Sequence, residues 1–173
     1  YGSIAREMAE KGDWVTPHFN SVRYLEKPPL QYWLSALTIA VFGPSEWAVR
    51  LWSAIPAFGV SLLLWRLGVL LYGREAGIAA AIVFSTSVGV FRYVRVAATD
   101  FLLVFSLTLS IYAFVKCVLS LRNRSTNCSK GSFRGLPVGR LLILYTGLSL
   151  GMLSKGLIGL VFPITIIVIF FSI

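Results

Sequence analysis

The stretch EWAVRLWSAIPAFGVSLLLWRLGVLL, residues 46–71, carries three charges, Glu46, Arg50 and Arg66, in an otherwise apolar run. As a helix rising about 1.5 Å per residue it is long enough to cross a hydrocarbon core ~30 Å thick. Pro56 marks a kink point within it, and Arg66 lies near enough to one end to snorkel toward headgroups. On its N-terminal side the Gly43-Pro44 break sets off LQYWLSALTIAVF, residues 30–42, which is too short for the roughly 20 residues a span needs. That segment is expected to lie along the interface, with Tyr32 and Trp33 at headgroup level. On the other side Tyr72-Gly73-Arg74-Glu75 predicts a tight reversal. Residues 76–91 and 101–121 predict further crossings around a polar patch over 92–100. Residues 122–140, rich in Ser, Asn, Gly and basic side chains and free of acids, read as a solvated loop. Residues 141–153 and 157–173 are apolar again and flank Lys155. The expected fold is all-α, a polytopic transmembrane helix bundle with juxtamembrane interfacial helices. Residues 1–173 read as one membrane domain, with 1–45 as external juxtamembrane loop and short helices and 46–173 as about five transmembrane helices.

Composition agrees with this reading. Hydrophobic residues make up 57% of the chain and charged residues 13%, with mean hydropathy +0.78, more apolar surface than a water-soluble domain of this length can bury. The formal net charge of +9 calls for anionic partners. Its basic residues are scattered between apolar runs rather than gathered on one aromatic-rich face, which favours lipid headgroups and lipid phosphates over nucleic acid. Cys117 and Cys128 form neither a disulfide framework nor a Cys/His zinc pattern. No signal-peptide pattern follows Tyr1 and the sequence ends within an apolar run, so a piece truncated at both ends is expected.

Ahead of the apolar runs, residues 3–11 hold Arg6 and Glu10 four apart with Gly12 behind them, the pattern of a short amphipathic helix. Residues 13–29 read as a loop that ends in Glu26-Lys27-Pro28-Pro29, where the prolines hold Glu26-Lys27 on stiff, extended backbone. Counting crossings from here puts Glu26, Lys27, Arg92, Arg95, Asp100 and Lys155 on one side of the membrane, and Arg74 with the 122–140 loop on the other. The positive-inside rule makes that acid-free basic loop cytoplasmic. The sequons at Asn123 and Asn127 fall within it and are discounted for that reason.

Three places carry candidate chemistry. The carboxylate of Glu26 suits a divalent cation and the ammonium of Lys27 a phosphate, although a surface ion pair anchoring the interfacial helix has the same appearance. Asp100 heads an apolar span, where it reads as a helix N-cap, and a cap can also be an active-site carboxylate. Lys155 sits between Ser154 and Gly156 in apolar sequence, which is costly unless it reaches a headgroup, a phosphate or an acid; simple snorkelling is the alternative. His18, the sole histidine, has no second soft ligand nearby in sequence and reads as a loop residue.

Taken in order, Ile4-Ala5-Arg6-Glu7-Met8, Gly12-Asp13-Trp14, Pro17-His18, Glu26-Lys27-Pro28-Pro29-Leu30 with Tyr32-Trp33, Phe42-Gly43, Arg50-Leu51, Thr99-Asp100 and Ser154-Lys155-Gly156 form a longer pattern. It resembles the aminoarabinose transferase and protein O-mannosyltransferase superfamily, polytopic enzymes that use polyprenyl-phosphate sugars. The resemblance implies a helix bundle with short juxtamembrane helices and transfer of a pentose or hexose, such as aminoarabinose or mannose, to a lipid A or protein acceptor at the outer membrane face. It implies metal binding by Glu26, with a divalent cation as cofactor, phosphate binding by Lys27 and Lys155, and a catalytic role for Asp100. It also implies an Asp-Glu pair just before the position of Tyr1, a later metal-binding His and a later soluble domain. None of these lies in the sequence, so the piece alone is expected to be inactive. A transporter or flippase of lipid-linked sugars needs charges at mid-membrane depth, whereas these cluster at helix ends. A non-catalytic assembly subunit is the third reading.

Overall fold

The computed structural model describes residues 2–19, 22–24, 27–96, 99–125 and 138–172. The helices are α1 (Gly2–Lys11), α2 (Leu30–Phe42), α3 (Glu46–Tyr72), α4 (Arg74–Thr86), α5 (Val88–Val94), α6 (Asp100–Ser125), α7 (Val138–Lys155) and α8 (Ile158–Ser172), and strands β1 (His18–Phe19) and β2 (Val22–Arg23) lie between α1 and α2. Glu46–Tyr72 and Asp100–Arg122 are each long and apolar enough to cross a membrane. Helices α4 and α5 make a third candidate if they count as one span, but they are bent by 54°. The straight crossing expected over 76–91 therefore breaks at Ser87, which stands in extended conformation between the two helices. Helix α8 covers residues 158–172 of the apolar run read over 157–173.

The N-terminal unit is a layer of α1 and α2 against the start of α3. Ile4, Ala5 and Met8 of α1 share a core with Tyr32, Ala36 and Ile39 of α2 and Ala48 of α3. On α1, Arg6 and Glu10 pair at 2.7 Å as their spacing predicts, and the amide of Gly12 closes the helix on the carbonyl of Met8. The expected loop over 13–29 contains a departure from the sequence reading, an antiparallel pair in which Phe19 faces Val22. The indole N–H of Trp33 donates to the carbonyl of Trp14 at 2.6 Å and fastens this arm to α2.

Helix α2 buries a polar stripe beside its apolar core residues. Gln31, Ser35 and Thr38, spaced along one stripe, are buried, while Trp33, Leu37 and Val41 on the opposite stripe are exposed. Gln31 Nε2 donates to Ser35 Oγ at 3.3 Å, and Thr38 Oγ1 donates to the carbonyl of Ala48 at 2.8 Å. An outward apolar stripe is what contact with lipid favours.

Behind this unit, α6 and α7 run antiparallel and very close. A Cβ on Gly147 would meet the carbonyl of Ser106 at 3.0 Å and the amide of Ser110 at 3.1 Å. One on Gly151 would meet Ser106 Oγ at 3.1 Å and, on α8, the carbonyl of Gly159 at 2.8 Å. Small residues let the backbones touch, which is how helices associate when lipid removes the hydrophobic drive between them. The register that this contact fixes carries the start of α6 to the end of α7.

Candidate active site at one end of the helix pair

Lys155 is the last residue of α7 and Asp100 the first of α6, so each charge opposes the dipole of its own helix end. The antiparallel register brings them together, and Lys155 Nζ donates to Asp100 Oδ1 in an ion pair across 55 positions of sequence. The pair is not sealed: the lysine side chain is 36% exposed and the aspartate 41%. Local structure sets each partner. The carbonyl of Thr99 accepts from the amide of Leu103 and opens α6, with Thr99 itself buried. Buried Ser154 turns its hydroxyl back to the carbonyl of Gly151 at 2.9 Å. Gly156 ends α7 at φ 71°, a left-handed conformation that a side chain would resist, and its amide bonds to the carbonyl of Met152.

Lys27 comes to the same end by way of its neighbour. The ring of Pro28 lies 4.0 Å from the position of a Cβ on Gly156, so the stiff Lys27-Pro28 backbone passes beside the turn that follows Lys155. Lys27, Asp100 and Lys155, scattered in sequence, thus share one end of the bundle. Ser53 of α3 joins the frame by donating to the carbonyl of Val96 at 2.9 Å, which ties the chain just ahead of Asp100 to α3. Arg95 stacks over the ring of Phe91, its guanidinium 4.1 Å from the centroid. The sequence reading did not single out Gln31, in the first turn of α2, whose buried Oε1 has no hydrogen-bond partner among the described residues. Its signal was the polar spacing Gln31, Ser35 and Thr38 within an apolar helix.

Glu26 lies outside the described residues. Among the described residues no group of three His, Cys, Asp or Glu side chains converges as a metal site. His18 Nδ1 stands 3.8 Å from Asp13 Oδ2, a loose pairing in the arm. The carboxyl of Asp13 is held below the usual carboxylate range because it accepts the amides of Thr16 and Val15, each at 3.1 Å. The described residues on their own therefore do not build a cation site, and no chemical step below runs through one.

Residues 26–173 match the family model described as dolichyl-phosphate-mannose-protein mannosyltransferase. The chain belongs to that family. It is an integral membrane protein with a helical fold. Among curated relatives, the undecaprenyl phosphate-alpha-4-amino-4-deoxy-L-arabinose arabinosyl transferase of Pseudomonas savastanoi pv. phaseolicola is 44% identical over 86 residues, 49% of this chain and 16% of the relative. The enzyme of the same name numbered 2 from Sodalis glossinidius is 38% identical over 87 residues, 50% of this chain and 16% of the relative. In three dimensions this mannosyltransferase-family chain superposes on ArnT from Cupriavidus metallidurans, solved in the apo state and bound to undecaprenyl phosphate. In each case the TM-score is 0.83 at 22% identity, over 98% of this chain and 30% of the other. The alignments with the curated relatives thus span about a sixth of those proteins' length.

Proposed function

We propose that this chain is part of a glycosyltransferase that moves a pentose or hexose from a polyprenyl-phosphate donor to a lipid A or protein acceptor. The observation that carries the reading is the Asp100–Lys155 pair at one end of a membrane helix bundle, with the Lys27-Pro28 backbone passing beside it, in a family whose model is described by a lipid-phosphate-linked sugar. In such a transfer an acceptor hydroxyl attacks the anomeric carbon. The bond from that carbon to the phosphate oxygen breaks, and the lipid phosphate leaves with the electron pair. Negative charge grows on the leaving phosphate, where a lysine ammonium stabilises it most strongly if water is excluded. Lys27 fills that role together with Lys155. Asp100, paired with Lys155, orients the acceptor hydroxyl or receives its proton. A divalent cation on Glu26 would assist the leaving phosphate, with its remaining ligands coming from outside the described residues.

In this reading the protein is multi-pass in the inner or plasma membrane, the site faces the external side, and α2 lies in the interface with Trp33, Leu37 and Val41 toward lipid. The test uses the intact protein in membranes. Lys27→Glu and Asp100→Lys should each lower transfer by ~10²-fold or more while insertion and expression stay at the wild-type level. Normal turnover by both variants would remove the proposal.

A further inference from the structure

At the other end of the α6–α7 pair the charge pattern is reversed. No Asp or Glu occurs anywhere in residues 101–173, yet Lys116, Arg122 and Arg140 fall near the end of α6 and the start of α7. Arg140 Nη1 donates to the backbone carbonyl of Lys116 at 3.1 Å, which draws the guanidinium against the α6 residue that carries the ammonium. Lys116 Nζ is held 4.9 Å from the centroid of the Tyr112 ring on the same face of α6. Both cations are half-buried, and among the described residues no carboxylate pairs with either.

This arrangement is unfavourable without an anion. Arg140 stands in the first turn of α7, which holds no acid, where the helix dipole and unpaired amides already present positive potential. Lys116 and Arg140 add two like charges on adjoining backbones, partly withdrawn from water. The depth identifies the anion. Lys116 lies ~24 Å along α6 from Asp100, close to the far boundary of a hydrocarbon core ~30 Å thick. At the same end Phe170 and Phe171 of α8 pack edge-on against Phe114 and leave much of their rings exposed, as side chains among acyl tails do. We infer that Lys116 and Arg140 form a binding site for the phosphate headgroup of an anionic phospholipid. The guanidinium of Arg140 takes the phosphate oxygens with the N–H groups that Lys116 leaves open, and the Lys116 ammonium completes the neutralisation.

The test reconstitutes the intact protein in nanodiscs of phosphatidylcholine and phosphatidylglycerol, extracts it into mild detergent, and counts retained lipids by native mass spectrometry. Wild type should retain phosphatidylglycerol over phosphatidylcholine by ~10-fold or more. Lys116→Gln combined with Arg140→Gln should bring retention of the two lipids level, and Arg140→Lys, which keeps the charge and loses the planar fork, should keep part of the preference. Equal retention by wild type overturns the inference and needs no variant to fold. So does an undiminished preference in the double glutamine variant. Displacement of the lipid by an equal concentration of inorganic phosphate or glycerol phosphate would identify a site for a free phosphate and overturn the lipid assignment.

Discussion

At one end of the α6–α7 pair a lysine and an aspartate meet, each opposing the dipole of its own helix; at the other, a lysine and an arginine adjoin, and among the described residues no acid pairs with either. The helices between them are the same, and so is the close packing of Ser106 and Ser110 on Gly147 and Gly151. What differs is where neutralisation comes from. The Asp100 end carries its own counter-ion, and in the proposed function the lysine exchanges it for a ligand phosphate. In the proposed lipid site the Arg140 end takes its anion from the bilayer. Chemistry suits the first and anchoring suits the second.

Pushing the helices apart between the two ends should have the largest effect. Gly147→Leu places a side chain where the Cβ alone meets backbone atoms of Ser106 and Ser110 about 3 Å away. It should cost ~3 kcal/mol or more, since neither helix backbone can yield without losing the register, and should unpair Asp100 from Lys155. A lowered thermal midpoint in detergent checks this, and an unchanged midpoint would mean the close approach is not what sets the register.

A smaller effect sharpens the contrast through pH. Of the carboxylates, Glu75 alone falls near the reversal after α3, while Asp13 sits in the arm fastened to α2 at the Asp100 end. Its carboxyl is depressed by the amides of Thr16 and Val15, so its contribution to the arm is complete above the usual carboxylate range and is lost as pH falls through the lowered value. Hydrogen exchange at the amides of Val15 and Thr16, corrected for the intrinsic pH dependence, should therefore rise on acidification before exchange near Arg140 does. Asp13→Ala should reproduce the loosening at neutral pH.

Part of this architecture is legible in the sequence. Residues 30–42 form a helix with the expected bounds because Pro29 and Gly43 punctuate it, and Gly73 turns α3 into α4 as the charged reversal predicts. The bend at Ser87 has only a short signal, Ser85-Thr86-Ser87 with Gly89 behind it and no proline, inside a run otherwise apolar enough to read as one crossing. The β1–β2 pair involves too few residues to produce an alternating pattern. The candidate site was legible as a set of residue types, each beside a helix end or a proline pair. Its central contact was not, because Asp100 and Lys155 are joined through glycine and serine packing along α6 and α7, which leaves no local signature near either residue. The buried stripe of Gln31, Ser35 and Thr38 was visible as a spacing, but its direction is set by lipid outside the chain.

The most direct test of the account is a charge exchange at the pair, Asp100→Lys with Lys155→Asp in the intact protein, scored for both thermal midpoint and sugar transfer against the two single variants. The exchange should recover much of the stability lost by either single variant, because the ion pair is restored, while transfer stays at the level of Asp100→Lys. Recovery of transfer along with stability would contradict the account, since the pair would then serve only to hold the helices together.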